Sequence, residues 1–279
     1  MYFDFHTHVF PDKIAAHAVE NLKYMAAKGV GREDAMTAHT DGTLEGLKQS
    51  MARGGIDACL VLPVCTKPEQ FDSVNKFAAE INGKDGVYSF GGIHPDCEDV
   101  EAKLDQIKAL GLKGVKMHPA YQHCFINDKR YLRIAEHCMR IGLYMMFHAG
   151  YDIAFPDTEY CPPDMFEEAF TPLFEKYPEE EKTPHVILAH LGGIMTLDKT
   201  LDYLCGMPIY MDMANTLEQI PTDKLMKVIR SHGADKILFA SDSPWQSQRK
   251  CRERLASLPI SKAEFEMISY GNAERMLGL

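Results

Sequence analysis

Short apolar runs alternate along this chain with longer stretches of helical spacing. The runs are Tyr2 to Phe5, Ile56 to Pro63, Val87 to Ile93, Gly114 to His118, Leu143 to His148, His185 to His190, Pro208 to Met213 and Lys236 to Asp242. Between them, Asp12 to Ala27 repeats apolar residues at Ile14, Ala18, Leu22 and Met25, and helical spacing recurs over Leu44–Met51, Gln70–Ile81, Val100–Leu110, Tyr131–Ile141, Met165–Tyr177, Leu197–Leu204 and Thr222–His232. Two more helices are predicted at the end, Gln248–Ser257 and Ser261–Leu277. Strands that are apolar nearly throughout are buried on both faces, as parallel strands under a layer of helices are. The pattern predicts an α/β fold, with a closed (β/α)8 TIM barrel as its simplest solution. An open doubly wound sheet would usually carry a glycine-rich phosphate turn after its first strand; here His6-Thr7-His8 stands in that place.

In such a barrel, chemistry belongs at the C-terminal ends of the strands. Those ends carry His6 and His8, His94, Lys116 and His118, His148, His190 and Asp242. Residues two apart on a regular strand share a face, so His6 and His8 are expected to leave the first strand side by side. A single histidine closing an apolar strand is as readily a structural residue bonded to a loop. A set of neutral imidazoles and a carboxylate around one mouth is what a borderline divalent ion such as Zn²⁺ accepts, with a position left open for water.

The chain has 279 residues, of which 46% are hydrophobic and 25% charged. These are globular proportions, no Gly/Ser/Pro linker interrupts them, and a single domain over residues 1–279 is expected. A formal charge of −10 argues against nucleic acid as a partner, because duplex binding draws on clustered cations. The eight cysteines form no C-x-x-C pair and no framework spacing, so they are expected to be reduced and buried. No apolar run approaches the roughly 20 residues of a membrane span, and no basic, then apolar leader opens the chain. A soluble, cytoplasmic protein acting on a small molecule, without membrane contact, is the expectation. The run Glu179-Glu180-Glu181-Lys182 is expected to be a solvated helix end or loop.

Taken together and in order, His6-Thr7-His8, Gly114-Val115-Lys116-Met117-His118-Pro119, His148-Ala149-Gly150, Ala189-His190-Leu191-Gly192-Gly193, Ser241-Asp242-Ser243-Pro244-Trp245 and Gly271-Asn272-Ala273-Glu274-Arg275-Met276-Leu277 resemble the amidohydrolase superfamily of metal-dependent barrels. Within it they are similar to the amidohydrolase-2 group, which includes aminocarboxymuconate-semialdehyde decarboxylase. The resemblance spans the chain. It implies that His6 and His8 are paired ligands of one metal, that His148 is the third histidine, and that Asp242 both touches metal and carries a proton. It implies for His190 either a second-metal ligand or a free acid, base or electrophile. Lys116 stands where some relatives have a carbamylated lysine or a glutamate bridging two metals. Members are often dimers, so the resemblance points to a homodimer.

An ion held by such a set lowers the pKa of its water from near 16 toward about 7, and an adjacent carboxylate can take the remaining proton. Lys116, if cationic, would anchor a substrate carboxylate or an oxyanion. The leading expectation is a metal-dependent hydrolase with one or two ions, most simply Zn²⁺, acting on an ester, lactone or amide of a small anionic substrate. The runner-up is a decarboxylase or hydratase of the same barrel group. A deoxyribonuclease reading gains from Gly92-Ile93-His94-Pro95 and loses more to the acidic charge and to Lys116. A non-catalytic binding module fits poorly with so many titratable groups at one mouth. No G-x-S-x-G elbow is present.

Overall fold

The computed structural model describes residues 1–279. Eight staves of parallel strand surround one axis: β1 (Phe3–Thr7), β2 (Ala58–Val61), β3 (Val87–Ser89) continued by β4 (Gly91–Gly92), β5 (Gly114–Met117), β6 (Tyr144–Phe147), β7 (Val186–Leu188), β8 (Tyr210–Asp212) and β9 (Ile237–Leu238). Ladders run β1-β2-β3 and β4 through β9. Phe90 spans the break between β3 and β4 by donating its N–H to Val61 O at 3.0 Å. The other seam joins β1 to the chain at and after β9, where Phe5 N–H donates to Phe239 O and Asp242 N–H to His6 O, both at 2.9 Å. The sheet is thereby closed, and the fold is the (β/α)8 TIM barrel that the strand pattern predicts.

Outside the barrel lie α1 (Asp12–Val30), α2 (Leu44–Gly54), α3 (Phe71–Ile81), α4 (Val100–Ala109), α5 (Lys129–Ile141), α6 (Pro163–Lys176), the short α7 (Leu197–Lys199), α8 (Thr222–His232), α9 (Gln248–Ala256), α10 (Lys262–Glu266) and α11 (Asn272–Leu277). Their ends follow local chemistry. Thr43 accepts from Gly46 N–H at the start of α2 and Asp128 from Arg130 N–H at the start of α5, each satisfying an orphan donor of the first turn. The alternating strand residues separate two apolar layers. Phe3, Phe5, Leu60, Phe90, Met146, Ile187 and Leu238 fill the barrel beneath the mouth. Val61, Val115, Met117, Phe147, Leu188 and Met211 face the helices.

Three departures from the sequence reading have physical causes. The expected helix Ser261–Leu277 is split, because a wide turn over Met267–Gly271 separates α10 from α11. There Ile268 O accepts from Phe239 N–H at 2.9 Å, so part of the helix's bonding is spent on the barrel. Leu197–Leu204 is likewise one short helical turn followed by a wide turn over Thr200–Leu204. The run Glu179–Lys182 is not wholly solvated: Glu180 is fully buried and accepts from both the backbone N–H and Nδ1 of His185, each at 2.8 Å. All eight cysteines are free, and all but Cys205 are buried. No helix is long and apolar enough to cross a membrane.

Candidate metal centre

Strict alternation along β1 would not bring His6 to the axis. Phe3 and Phe5 face the barrel interior, while Asp4 faces away, accepting from Ser241 and Gln248. A register irregularity between Asp4 and Thr7 interrupts the alternation, as bulges do, and turns His6 inward beside His8. His190 is brought round differently. It and Leu191 both lie in the left-handed region, at φ 59° and 54°, a conformation that costs energy for residues with a Cβ and concentrates at functional sites. Gly150, at φ 78°, and Gly193 allow the loops after β6 and β7 to meet, since a Cβ on Gly150 would lie 2.5 Å from Gly193 Cα. That approach brings the His148 and His190 rings into a T-shaped contact with centroids 4.7 Å apart.

The geometry at the mouth is specific. His6 donates through Nδ1 to Asp212 Oδ2 at 2.7 Å, and His8 through Nδ1 to Leu62 O at 3.0 Å. A neutral imidazole carries one proton, so each Nε2 is left as a lone pair. These two Nε2 atoms face each other at 3.1 Å, and Asp242 Oδ1 lies 3.5 Å from the first and 3.3 Å from the second. Acceptors at such distances repel unless a cation lies among them, and the ligand atoms of His6, His8 and Asp242 all fall within 4.8 Å of one another. This group can hold an ion. Lys116, completely buried on β5, brings Nζ to 3.4 Å from His6 Nε2.

A second group adjoins the first. His190 donates through Nδ1 to Ala214 O at 3.0 Å, and its Nε2 lies 3.0 Å from His148 Nδ1. The His148 ring is stacked on His118 with centroids 4.0 Å apart, and Asp152 Oδ2 lies 3.5 Å from His118 Nε2 and 3.7 Å from His148 Nε2. His118, His148 and Asp152 form another set of donor atoms within 4.8 Å. His94 stands apart: its Nδ1 accepts from Asp96 N–H at 3.1 Å, a local turn contact. Of the residues expected from sequence, His6, His8, Lys116, Asp242, His190 and His148 thus form one chain of contacts.

Two carboxylates of this centre escaped the sequence reading. Asp212 is the last residue of β8, an acid on an otherwise apolar strand, and that position was the available signal. Asp152 sits in a loop, where an aspartate has many ordinary uses. Asp212 also accepts through Oδ1 from the backbone N–H groups of His190 and Ala214, at 2.8 and 3.0 Å, so one carboxylate fixes both His6 and the turn that carries His190.

Burial dominates the electrostatics. It drives His6, His148 and His118 well below the usual imidazole range, with Lys116 adding to the effect at His6 and His118, and the neighbouring His118 and His190 rings adding at His148. Neutral rings keep the lone pairs that a metal needs. Burial lowers Lys116 to about 8, against the opposing pull of Asp212 and Asp242. Burial raises Asp212 and lifts Asp152 to about 6. Burial also pushes Asp242 upward, but its close contacts with His8, His6 and His190 outweigh it and hold this carboxyl below its ordinary value.

Residues 3–279 match the amidohydrolase family, of the amidohydrolase-2 type, and the chain belongs to it. Among solved structures it is similar to 5-carboxyvanillate decarboxylase from Sphingomonas paucimobilis, at 15% identity and TM-score 0.70, with 100% of this chain and 99% of that one covered. A 2,6-dihydroxybenzoate decarboxylase complexed with 2,6-dihydroxybenzoate aligns at 14% identity and TM-score 0.70 over 100% and 99% of the two chains. A dihydroxybenzoic acid decarboxylase from a Polaromonas species, with bound manganese and 2-nitroresorcinol, aligns at 16% identity and TM-score 0.70 over 100% and 97%. At these identities the likeness establishes the shared barrel. Among curated proteins, none matches the sequence.

Proposed function

We propose that this protein is a metal-dependent decarboxylase of a small carboxylic acid, with His6, His8 and Asp242 holding a divalent ion and His148, His190 and Lys116 completing the centre. The observation that carries the metal reading is the 3.1 Å approach of two unprotonated nitrogens, His6 Nε2 and His8 Nε2, beside Asp242. A nitrogen-rich set with one carboxylate suits Zn²⁺; manganese in a structurally similar enzyme supports a divalent ion more broadly. The match over residues 3–279 supports treating the whole chain, 1–279, as one domain.

When bound, such an ion supplies Lewis acidity toward a substrate oxygen. The remaining work falls to the chain's own groups. Lys116, buried and cationic below a pH of about 8, pairs with the substrate carboxylate and orients it. Asp242, held ionised by its imidazole neighbours, takes the proton of an acidic substrate hydroxyl at Oδ2 and returns it to the carbon that loses its carboxyl group. The carbon–carbon electron pair passes to that carbon, CO₂ leaves, and the carboxylate of Asp242 is restored.

The sequence ranks hydrolysis of an ester, lactone or amide first, and the ionised Asp242 also suits a base that takes a proton from water. Decarboxylation is preferred because several solved barrels similar to this chain over their full length are decarboxylases. Incubating the Zn²⁺- or Mn²⁺-loaded protein with a panel of hydroxylated aromatic carboxylates and a panel of lactones and esters decides between the two. CO₂ release from the first panel is the expected result. Acid formed from the second, with no CO₂ from the first, overturns the reading in favour of hydrolysis.

A further inference from the structure

The seam that closes the barrel brings together side chains from the two ends of the chain, His6 and His8 on β1 and Asp242 after β9. In a regular parallel ladder the bonds are evenly spaced, and one residue gives both its N–H and its C=O to the same neighbour. Phe5 N–H donates to Phe239 O, so the regular continuation is Ser241 N–H to Phe5 O. The ladder instead resumes one residue further along both strands, with Asp242 N–H donating to His6 O at 2.9 Å and His8 N–H to Ser243 O at 2.6 Å. Ser241 is fully buried, and its skipped N–H needs an acceptor from elsewhere.

That acceptor is Asp4. Its Oδ1 takes the Ser241 N–H at 2.9 Å, and its Oδ2 takes the Ser241 hydroxyl proton at 2.6 Å. Ser241 Oγ in turn accepts from Ser243 N–H at 3.0 Å, so one carboxylate ties down the residues on either side of Asp242. Oδ1 also receives the His6 N–H at 3.4 Å, and Oδ2 receives Gln248 Nε2 from α9 at 2.8 Å. A carboxylate, with two oxygens and about four lone pairs, can satisfy all four donors. Asp242 itself sits at φ 70°, a left-handed backbone that a residue with a Cβ holds only under constraint.

Resting on the metal-centre reading above, we propose that Asp4 is a positioning residue: its carboxylate replaces the ladder acceptor lost at the irregularity in β1 and so holds Asp242 opposite His6 and His8. Two registers compete at this seam. In the regular one Ser241 N–H returns to Phe5 O, His6 follows the alternation of β1 and points away from the axis, and the left-handed turn at Asp242 relaxes. In the irregular one His6 and Asp242 face the mouth, and the cost of the skipped bond is offset by Asp4. Asp4 is fully buried behind the strand, so it acts on the centre through the side chains it places rather than by contact with ion or substrate.

The test is Zn²⁺ binding to the metal-free protein by calorimetry, with visible spectra of the Co²⁺-loaded protein, at a temperature where circular dichroism shows each variant folded. Asp4→Ala is expected to bind Zn²⁺ about 10–100-fold more weakly than wild type and to shift the Co²⁺ bands, which report ligand geometry. Asp4→Asn keeps an oxygen for Ser241 N–H and is expected to recover most of the affinity and the wild-type spectrum. Gln248→Ala removes a donor from the same carboxylate but leaves the ties to Ser241, so it is expected to lower the melting temperature without weakening the ion. Wild-type affinity and spectrum in Asp4→Ala overturn the proposal, as does an Asn variant no better than Ala. A loss in Gln248→Ala equal to that in Asp4→Ala also overturns it, since the network would then serve the fold as a whole. If Asp4→Ala does not fold, Ser241→Ala takes its place: weaker Zn²⁺ binding than in Gln248→Ala supports the proposal, and equal binding overturns it. These outcomes leave the metal reading standing, whereas a wild type that binds no ion overturns both.

Discussion

His6 Nε2 and His8 Nε2 lie 3.1 Å apart with their protons on the opposite nitrogens, bonded to Asp212 and Leu62. That contact is unfavourable in isolation and becomes favourable around a cation. The first prediction is therefore a stability effect of metal. Ion at a thousand times its dissociation constant stabilises the fold by about 4 kcal/mol, so a chelator should lower the melting temperature of the wild type. His6→Ala and His8→Ala should be insensitive to chelator and carry no tightly bound ion in this position by elemental analysis.

Asp242→Asn tests the proton carrier. Asparagine keeps the shape and one oxygen but cannot cycle a proton, and general acid–base groups contribute roughly 10²–10⁴-fold to rate. Turnover should fall by at least that much while circular dichroism and melting stay near wild type. Activity retained within tenfold would remove Asp242 from this role.

Lys116 gives a pH prediction with a definite sign. Its folded value of about 8 lies below the unfolded value of 10.5, so between those limits the unfolded chain binds more protons, and stability rises with pH. Below pH 8 the buried ammonium costs the metal-free fold about 3 kcal/mol, at 1.36 kcal/mol per pH unit. Lys116→Met should accordingly raise the melting temperature of metal-free protein at pH 7, with no gain above pH 10.5, while binding of the carboxylate substrate is lost. A destabilised Met variant at pH 7 would contradict this.

The approach of the loops after β6 and β7 is tested at Gly150. A side chain there meets Gly193 Cα at 2.5 Å on a backbone at φ 78°, so Gly150→Val should cost about 1–3 kcal/mol from strain alone. It should also part His148 from His190, lowering turnover more than the stability loss explains at a temperature where the variant is fully folded.

Glu180 is the contrasting case. It is buried and bonded to His185 just before β7 begins, at the end of the barrel that serves stability. Removing it orphans buried donors, and Glu180→Ala should destabilise the fold by about 2–4 kcal/mol, read from denaturant midpoints. Turnover per folded molecule should be unchanged.

The sequence by itself determined the barrel and much of its mouth. Eight apolar runs separated by helical stretches leave few solutions other than parallel strands under helices, and strand-end residues of a closed barrel converge by topology. His6, His8, Lys116, His148, His190 and Asp242 were legible on that ground. Tertiary structure decided the rest, because orientation depends on partners distant in the chain. A slip in β1 turns His6 inward, against its own alternation with Phe5. Asp212, 206 residues away, fixes which nitrogen of His6 is bare, and Asp152 faces His118 and His148 only once its loop is folded across the mouth. Periodicity reports which face of an element is buried; the position of a proton on an imidazole is set by whichever acceptor the completed fold brings to the other side of the ring.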